Sequence, residues 1–195
     1  MEDVPYLTSR VEELRSMAGD LCRQARFEEA EVALGRGVVL AEELVLGGGP
    51  AAELAGLLRE LGDVQERRRR VHDAEVTLRR AVQVAEDAFE PDLRTSGAGA
   101  HGPGEWRELA RSVEHLAAFL AARGQTEEAV VLRRRVLTTK RAVLGPSHPE
   151  VATALHDLAV ACQSAGRSDE AHSLWREARA VLQLDTSGTA DRAVG

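Results

Sequence analysis

The stretch Leu144-Gly145-Pro146-Ser147-His148-Pro149-Glu150-Val151 leads into Leu155, Leu158-Ala159, Cys162, Gly166, Glu170-Ala171, Trp175 and Ala178, and its spacing decides the fold. Steps of three and four place Leu155, Leu158, Ala159 and Cys162 on one face of a helix. Gly166 can take the positive φ of a helix end. Ser168, ahead of Asp169-Glu170, then reads as the N-cap of a second helix. Ala171 fits a close crossing of the two backbones, where a larger side chain would overpack at a cost of about 1–3 kcal/mol.

The same set of spacings recurs along the chain. Val113, Leu116, Ala117, Leu120, Gly124, Ala129, Arg133 and Val136 stand 42 residues earlier. Leu14, Met17, Ala18, Leu21, Ala25, Ala30, Leu34 and Gly37 repeat it near the N-terminus, and a weaker copy starts at Leu58 and runs through Gly62, Gln65, Arg69, Ala74, Leu78 and Ala81. Four copies in one register predict four helix-turn-helix units, since such periods are the signature of stacked repeats. Thr126 takes the place of Ser168 in the third copy. Gln65 stands where the other copies have Leu21, Leu120 and Cys162, Arg69 where two of them have Gly124 and Gly166, and Arg133 where they have Leu34, Leu78 and Trp175, with Leu132 beside Arg133 able to fill in. The third copy also starts 13 residues late, and the excess falls in 89–106, which reads as a flexible insertion.

Composition agrees. The chain has 195 residues, of which 31 Ala, 24 Leu, 22 Glu and 24 Arg make up about half, beside six Pro and six aromatics. Strong helix formers dominate, and β-branched and aromatic residues are too few for packed strands. With 44% hydrophobic residues the chain can bury enough surface to fold. A net charge of −7 argues against nucleic acid as the main partner. The acidic N-terminus does not read as a secretory signal, and no apolar run approaches the ~20 residues that span a bilayer. Cys22 and Cys162 suggest no disulfide framework, so a cytoplasmic setting and no membrane partner are expected.

The pattern of small and large residues resembles the tetratricopeptide repeat, over roughly 9–185. It is most similar to the 42-residue variety of kinesin light chains and many bacterial proteins, on the evidence of the 144–151 linker and the Glu128-Ala129 and Glu170-Ala171 pairs. The resemblance implies an all-α, right-handed α-α superhelix, the TPR solenoid, of four repeats at about 11–44, 55–88, 110–143 and 152–185. These form a single domain over 1–185, followed by a disordered tail over 186–195. It implies also that the first helices line a concave groove that receives a peptide or protein.

In that frame the groove-facing residues are Glu12, Arg15, Gly19 and Cys22; Gly56, Arg59, Asp63 and Glu66; Arg111, Glu114, Ala118 and Ala121; and Thr153, His156, Val160 and Gln163. The family's Lys/Asn carboxylate clamp has no counterpart at these positions, and the usual Asn pair is replaced by Arg15-Ser16, Arg59-Glu60, Glu114-His115 and His156-Asp157. Arg15, Arg59 and Arg111 read either as a ladder for an acidic peptide or as a solvated face neutralised by Glu60, Asp63 and Glu114. Both readings stay open. The run Arg67–Arg70 falls at a turn beside Glu60, Asp63, Glu66 and Asp73 and reads as a locally neutralised turn rather than a phosphate site. Arg133-Arg134-Arg135, on a second helix with at least one arginine outward, reads the same way.

No catalytic, metal or cofactor pattern emerges. The six histidines show no i, i+4 pair and no His-Glu-x-x-His, although His115 and His156 hold nearly equivalent places in successive repeats. His148 belongs to the linker and reads as structural. Gly47-Gly48-Gly49-Pro50 lacks a phosphate loop's Gly-Lys ending, and no Gly-x-Ser-x-Gly elbow occurs. Stacked repeats expose an apolar face unless a polar element covers it, so Leu174, Trp175, Val181 and Leu182 are expected at an open C-terminal end that self-associates or takes a partner. The expected function is a non-catalytic adaptor, scaffold or assembly factor binding a protein or peptide. The alternative is a regulatory sensor that binds a small peptide or small molecule and signals through a separate protein.

Overall fold

The computed structural model describes residues 3–89 and 105–191. Among the described residues there are eight helices and no strand: α1 Asp3–Arg23, α2 Phe27–Leu46, α3 Ala51–Arg67, α4 Val71–Phe89, α5 Glu105–Ala121, α6 Thr126–Leu144, α7 Pro149–Ser164 and α8 Ser168–Asp191. They follow one another as four helix-turn-helix pairs. Of the expected insertion over 89–106, Phe89 closes α4 and Glu105-Trp106 open α5, while 90–104 lie outside the described residues. At the other end α8 runs through Asp191, so 186–191 are helical where an unstructured tail was expected. No proline interrupts this stretch, and one Gly188 weakens a helix without ending it. Residues 192–195 lie outside the described residues.

The chain divides into two compact units, 1–112 and 113–195, with the boundary inside α5. In the first unit, α1, α2 and α3 converge on Val11, Ala18, Leu34, Val38, Leu54, Leu57 and Leu58, all buried. In the second, Val130 and Leu137 of α6 meet Val151, Leu155 and Leu158 of α7 and Ala171 and Ala178 of α8. The four alanines expected at backbone crossings, Ala30, Ala74, Ala129 and Ala171, are each 0% exposed. Gly62 makes a similar close approach: a Cβ there would lie 2.7 Å from Leu78, whose side chain occupies the space.

One turn geometry serves all four pairs. Ala25, Arg69, Gly124 and Gly166 sit at φ 59°, 62°, 78° and 77°. The next residue in each case donates its N–H back five positions: Arg26 to Leu21 (2.9 Å), Arg70 to Gln65 (2.9 Å), Gln125 to Leu120 (3.0 Å) and Arg167 to Cys162 (2.8 Å). This six-to-one bond around a left-handed residue is a Schellman closure, which satisfies carbonyls that a helix end leaves orphaned. The expected N-caps are therefore corrected. The residue that closes the first helix also lends its carbonyl to the second, as Gln125 does to the Ala129 N–H and Arg167 to the Ala171 N–H. Thr126 and Ser168 are consequently the first residues inside α6 and α8, and Gln125 occupies the cap position without a side-chain bond.

The 144–151 linker closes and reopens helices within seven residues. Gly145, at φ 84°, ends α6. His148 caps α7, its Nδ1 accepting the Glu150 N–H at 3.2 Å, with Pro149 in the first turn where its missing donor costs nothing.

Candidate partner-binding surface

In the first unit, the face formed by α1, α3 and the start of α5 neutralises itself. The Arg15 guanidinium lies over Gly56, 3.5 Å from where a Cβ would stand. It donates to Glu60 through Nε at 2.8 Å and approaches Glu53 at 3.4 Å. The bond to Glu60 raises the pKa of Arg15, so it is a fixed cation. Arg59 reaches the following helix, donating to Glu108 at 3.0 Å through Nε and 2.8 Å through its terminal nitrogen. Their side chains are 18% and 10% exposed, and Arg111, largely exposed, stands 3.9 Å from the other oxygen of Glu108. Arg15, Arg59 and Arg111 therefore spend their charge on Glu53, Glu60 and Glu108, with Arg15 of α1 and Arg59 of α3 each pairing with a carboxylate of the next first helix.

Asp63 borders a cleft of about 180 Å³ with Gly19, Cys22, Glu60 and Arg67. Desolvation pushes the Cys22 thiol pKa up, and Cys162, wholly buried in the second unit, is raised for the same reason. Neither has the lowered pKa of a reactive thiolate.

Within the arginine run 67–70, Arg68 and Arg70 are ion-paired, chiefly to helix α2. Arg68 pairs with Glu31, Arg70 with Glu31 at 2.5 Å and with Asp73 at 2.7 Å, and Arg67 stacks 5.6 Å from the Phe27 ring centroid. Of the carboxylates flagged from the sequence, Asp73 is among these partners. Glu31 is not one that local sequence could indicate, since it lies 37 and 39 residues away.

In the second unit Glu114 turns from the groove role to a structural one. It accepts from Lys140 of α6 at 2.8 Å, and Glu150 of α7 lies 3.9 Å from the same ammonium. Lys140 is the single lysine of the sequence, and its side chain is only 9% exposed. No local sequence pattern gives it a partner. Its rarity was the one available signal, because a lone buried ammonium needs a carboxylate. Arg133 fills its apolar position by turning inward, 19% exposed, with Asp157 at 3.8 Å. Arg134, outward, pairs with Glu170, whose pKa is lowered by that bond.

His115 is half-buried, while His156 is exposed and stands 3.7 Å from Asp157. Thr153, Val160 and Gln163 share the exposure of His156, giving α7 an open face. Among the described residues no group of three or more His, Cys, Asp or Glu is placed to hold a metal ion, and no helix is long and apolar enough to cross a membrane.

At the far side of the α7/α8 pair is a groove of about 460 Å³, lined by Ala152, Thr153, His156, Trp175, Ala178, Arg179 and Leu182. Leu182 is 50% exposed, and Leu174 and Trp175 are half-buried. Val181, expected on the open face, is instead 7% exposed and belongs to the core. One residue on a helix turns the side chain by about 100°, which carries Val181 inward while Leu182 stays out.

Residues 108–183 match the family model of the tetratricopeptide repeat. Among curated proteins nothing matches the chain. Among solved structures it is similar to a protein assigned as a kinesin light chain from Podosopora anserina, with nearly identical TPR-like repeats, at 23% identity over 91% of this chain and 77% of that one, TM-score 0.66. BtubC (BKLC) from P. vanneervenii follows the fold at 18% identity, over 94% of this chain and 73% of that one, TM-score 0.67. MamA does so at 16%, over 91% and 81%, TM-score 0.58. At these identities the structural likeness speaks for the fold, and the repeat match adds the sequence signature. Residues 108–183 thus carry the tetratricopeptide-repeat signature, and the chain has the fold of kinesin-light-chain-like repeat structures.

Proposed function

We propose that the chain is a non-catalytic, cytoplasmic adaptor or scaffold that holds a protein or peptide segment against its first-helix faces and its C-terminal end. Tetratricopeptide-repeat proteins generally mediate protein–protein interaction, and the observation that carries the reading here is the open face of α7. Thr153, His156, Val160 and Gln163 lie exposed in a row at steps of three and four on a helix whose opposite side, with Val151, Leu155, Leu158 and Cys162, is buried. Such a stripe on a rigid support suits a docked segment, because the receiving side pays little ordering entropy. The self-neutralised line on α1, α3 and α5 has its charges already engaged, which favours the α7 face and the end groove over an arginine ladder as the place for an acidic partner. Two free cysteines accord with a reducing setting.

The test is a double variant, Val160→Arg with Gln163→Glu, at exposed positions that should leave the helical signal and melting temperature unchanged. The native chain should retain a partner through affinity purification and cross-linking, and the variant should lose it. Equal retention by both would overturn the α7 face as the binding surface.

A further inference from the structure

The repeat register identifies what the end groove is shaped to hold. Advancing the first repeat by the offset that carries Leu14 to Leu155 takes Val11, Arg15, Leu34, Gly37, Val38 and Ala41 to Ala152, His156, Trp175, Ala178, Arg179 and Leu182. The second set lines the end groove. The first set is the seat of α3. Val11, Leu34, Val38 and Ala41 share a buried cluster with Leu54, Leu57 and Leu58, the position of a Gly37 Cβ lies 3.5 Å from Leu57, and Arg15 binds Glu53 and Glu60. The groove is therefore the counterpart, in the fourth repeat, of the α3 seat, and no described residue fills it.

The geometry points to an acidic amphipathic helix of a partner protein as its occupant, one with the pattern of 53–60: carboxylate, apolar, two spacers, two apolars, spacer, carboxylate. This rests on the partner-binding reading above and names the chemistry of one of its surfaces. Charge supports the choice. His156 takes the place of Arg15 as a hydrogen-bond donor, Arg179 replaces the apolar Val38, and Thr153 replaces the carboxylate of Glu12, so the groove offers a carboxylate one fixed cation and carries one acidic group fewer than the seat that already draws Glu53 and Glu60. Asp157 does not reverse this, since it lies against Arg133 and beside His156.

A second copy fits less well on both possible faces. Positions equivalent to Leu54, Leu57, Leu61 and Val64 are, on α1, Arg10, Glu13, Met17 and Asp20, all exposed and mostly charged, with Arg10 and Glu13 already paired at 2.6 Å. This face of α1 therefore offers no apolar ridge to a neighbour's groove. Two end grooves brought together would set Arg179 and His156 against their own copies.

The experiment titrates the full chain into a fluorescein-labelled peptide of residues 50–68 and reads anisotropy. Saturable binding is expected. Leu182→Glu and His156→Glu, both at exposed positions, should each weaken it about tenfold with unchanged circular dichroism. A peptide carrying Glu53→Lys and Glu60→Lys should prefer the His156→Glu chain over the native one, a reversal that a folding defect cannot produce. The Val160→Arg/Gln163→Glu variant should bind the peptide normally, so failure of the α7-face reading and failure of this one are separable. No binding at about 1 mM chain, or affinity indifferent to Leu182→Glu and to the charge swap, overturns the assignment. So does concentration-dependent dimerisation in light scattering that Leu182→Glu abolishes, because the groove would then belong to a second copy.

Discussion

Single residues set the four turns, and they do so with unequal ease. Gly124 and Gly166 take the left-handed conformation without penalty, whereas Ala25 and Arg69 hold it at about 1–2 kcal/mol of backbone strain each. A Cβ on Gly124 meets nothing within 4 Å, so Gly124→Ala isolates the backbone term and should lower stability by about 1 kcal/mol in urea titration. Ala25→Gly relieves strain but loosens the unfolded chain, so a gain of up to about 0.5–1 kcal/mol is expected. A loss there would show that the turn is not strained. Gly62→Ala is the contrasting case. It drives a methyl into Leu78 and should cost about 1–3 kcal/mol by overpacking, read in the same titration. The sequence revealed the turn register at this scale because glycine at two of four equivalent positions marks the conformation. It misplaced Thr126 and Ser168 by one residue, since a cap is defined by which carbonyl accepts first, and that is a matter of backbone geometry.

Helices are tied to the next pair by ion pairs whose worth depends on burial. Arg59 and Glu108 are nearly enclosed, so Arg59→Ala leaves a carboxylate in poor solvent and should cost about 3 kcal/mol or more. Replacing both by Met and Leu should recover most of that loss, and a double-mutant cycle measures the difference. The Arg134–Glu170 pair joins α6 to α8 at the surface, with side chains 53% and 32% exposed. Its carboxylate pKa is lowered in the fold, so the pair adds stability above the unfolded carboxylate pKa and loses it as pH falls through the lowered value. Solvent screening keeps this small. Glu170→Gln should therefore remove under about 1 kcal/mol at pH 7 and nothing at pH 2. Pairings of this kind were the illegible part of the sequence. Arg59 and Glu108 are 49 residues apart, and Lys140 and Glu114 are 26 apart. Only the packing of neighbouring helices selects such partners from 32 acidic residues.

At the scale of the molecule, the surfaces of α1 and of the α7/α8 pair differ in kind. The outer face of α1 is charged, while the groove on α7 and α8 is lined by Trp175, Ala178 and Leu182 beside Arg179, so a further helix is favoured on α7 and α8 rather than on α1. A bound helix at that end should raise the melting temperature of the native chain, by an amount equivalent to about 2.7 kcal/mol when the helix is present at a hundred times its Kd. Differential scanning fluorimetry checks this, and Leu182→Glu should abolish the rise. The exposure of Leu182 was readable from the sequence. The groove it shares with His156 and Arg179 was not, because those residues become neighbours only once α7 and α8 pack.

The enclosed ammonium of Lys140 has a practical consequence. As the chain's one lysine, held between Glu114 and Glu150, it is a chemical clock for the opening of the second unit. Acylating reagents that search for side-chain amines should modify it slowly in the native protein and rapidly in urea. Mass spectrometry of the labelled peptide would then read the local opening rate directly, without an added probe.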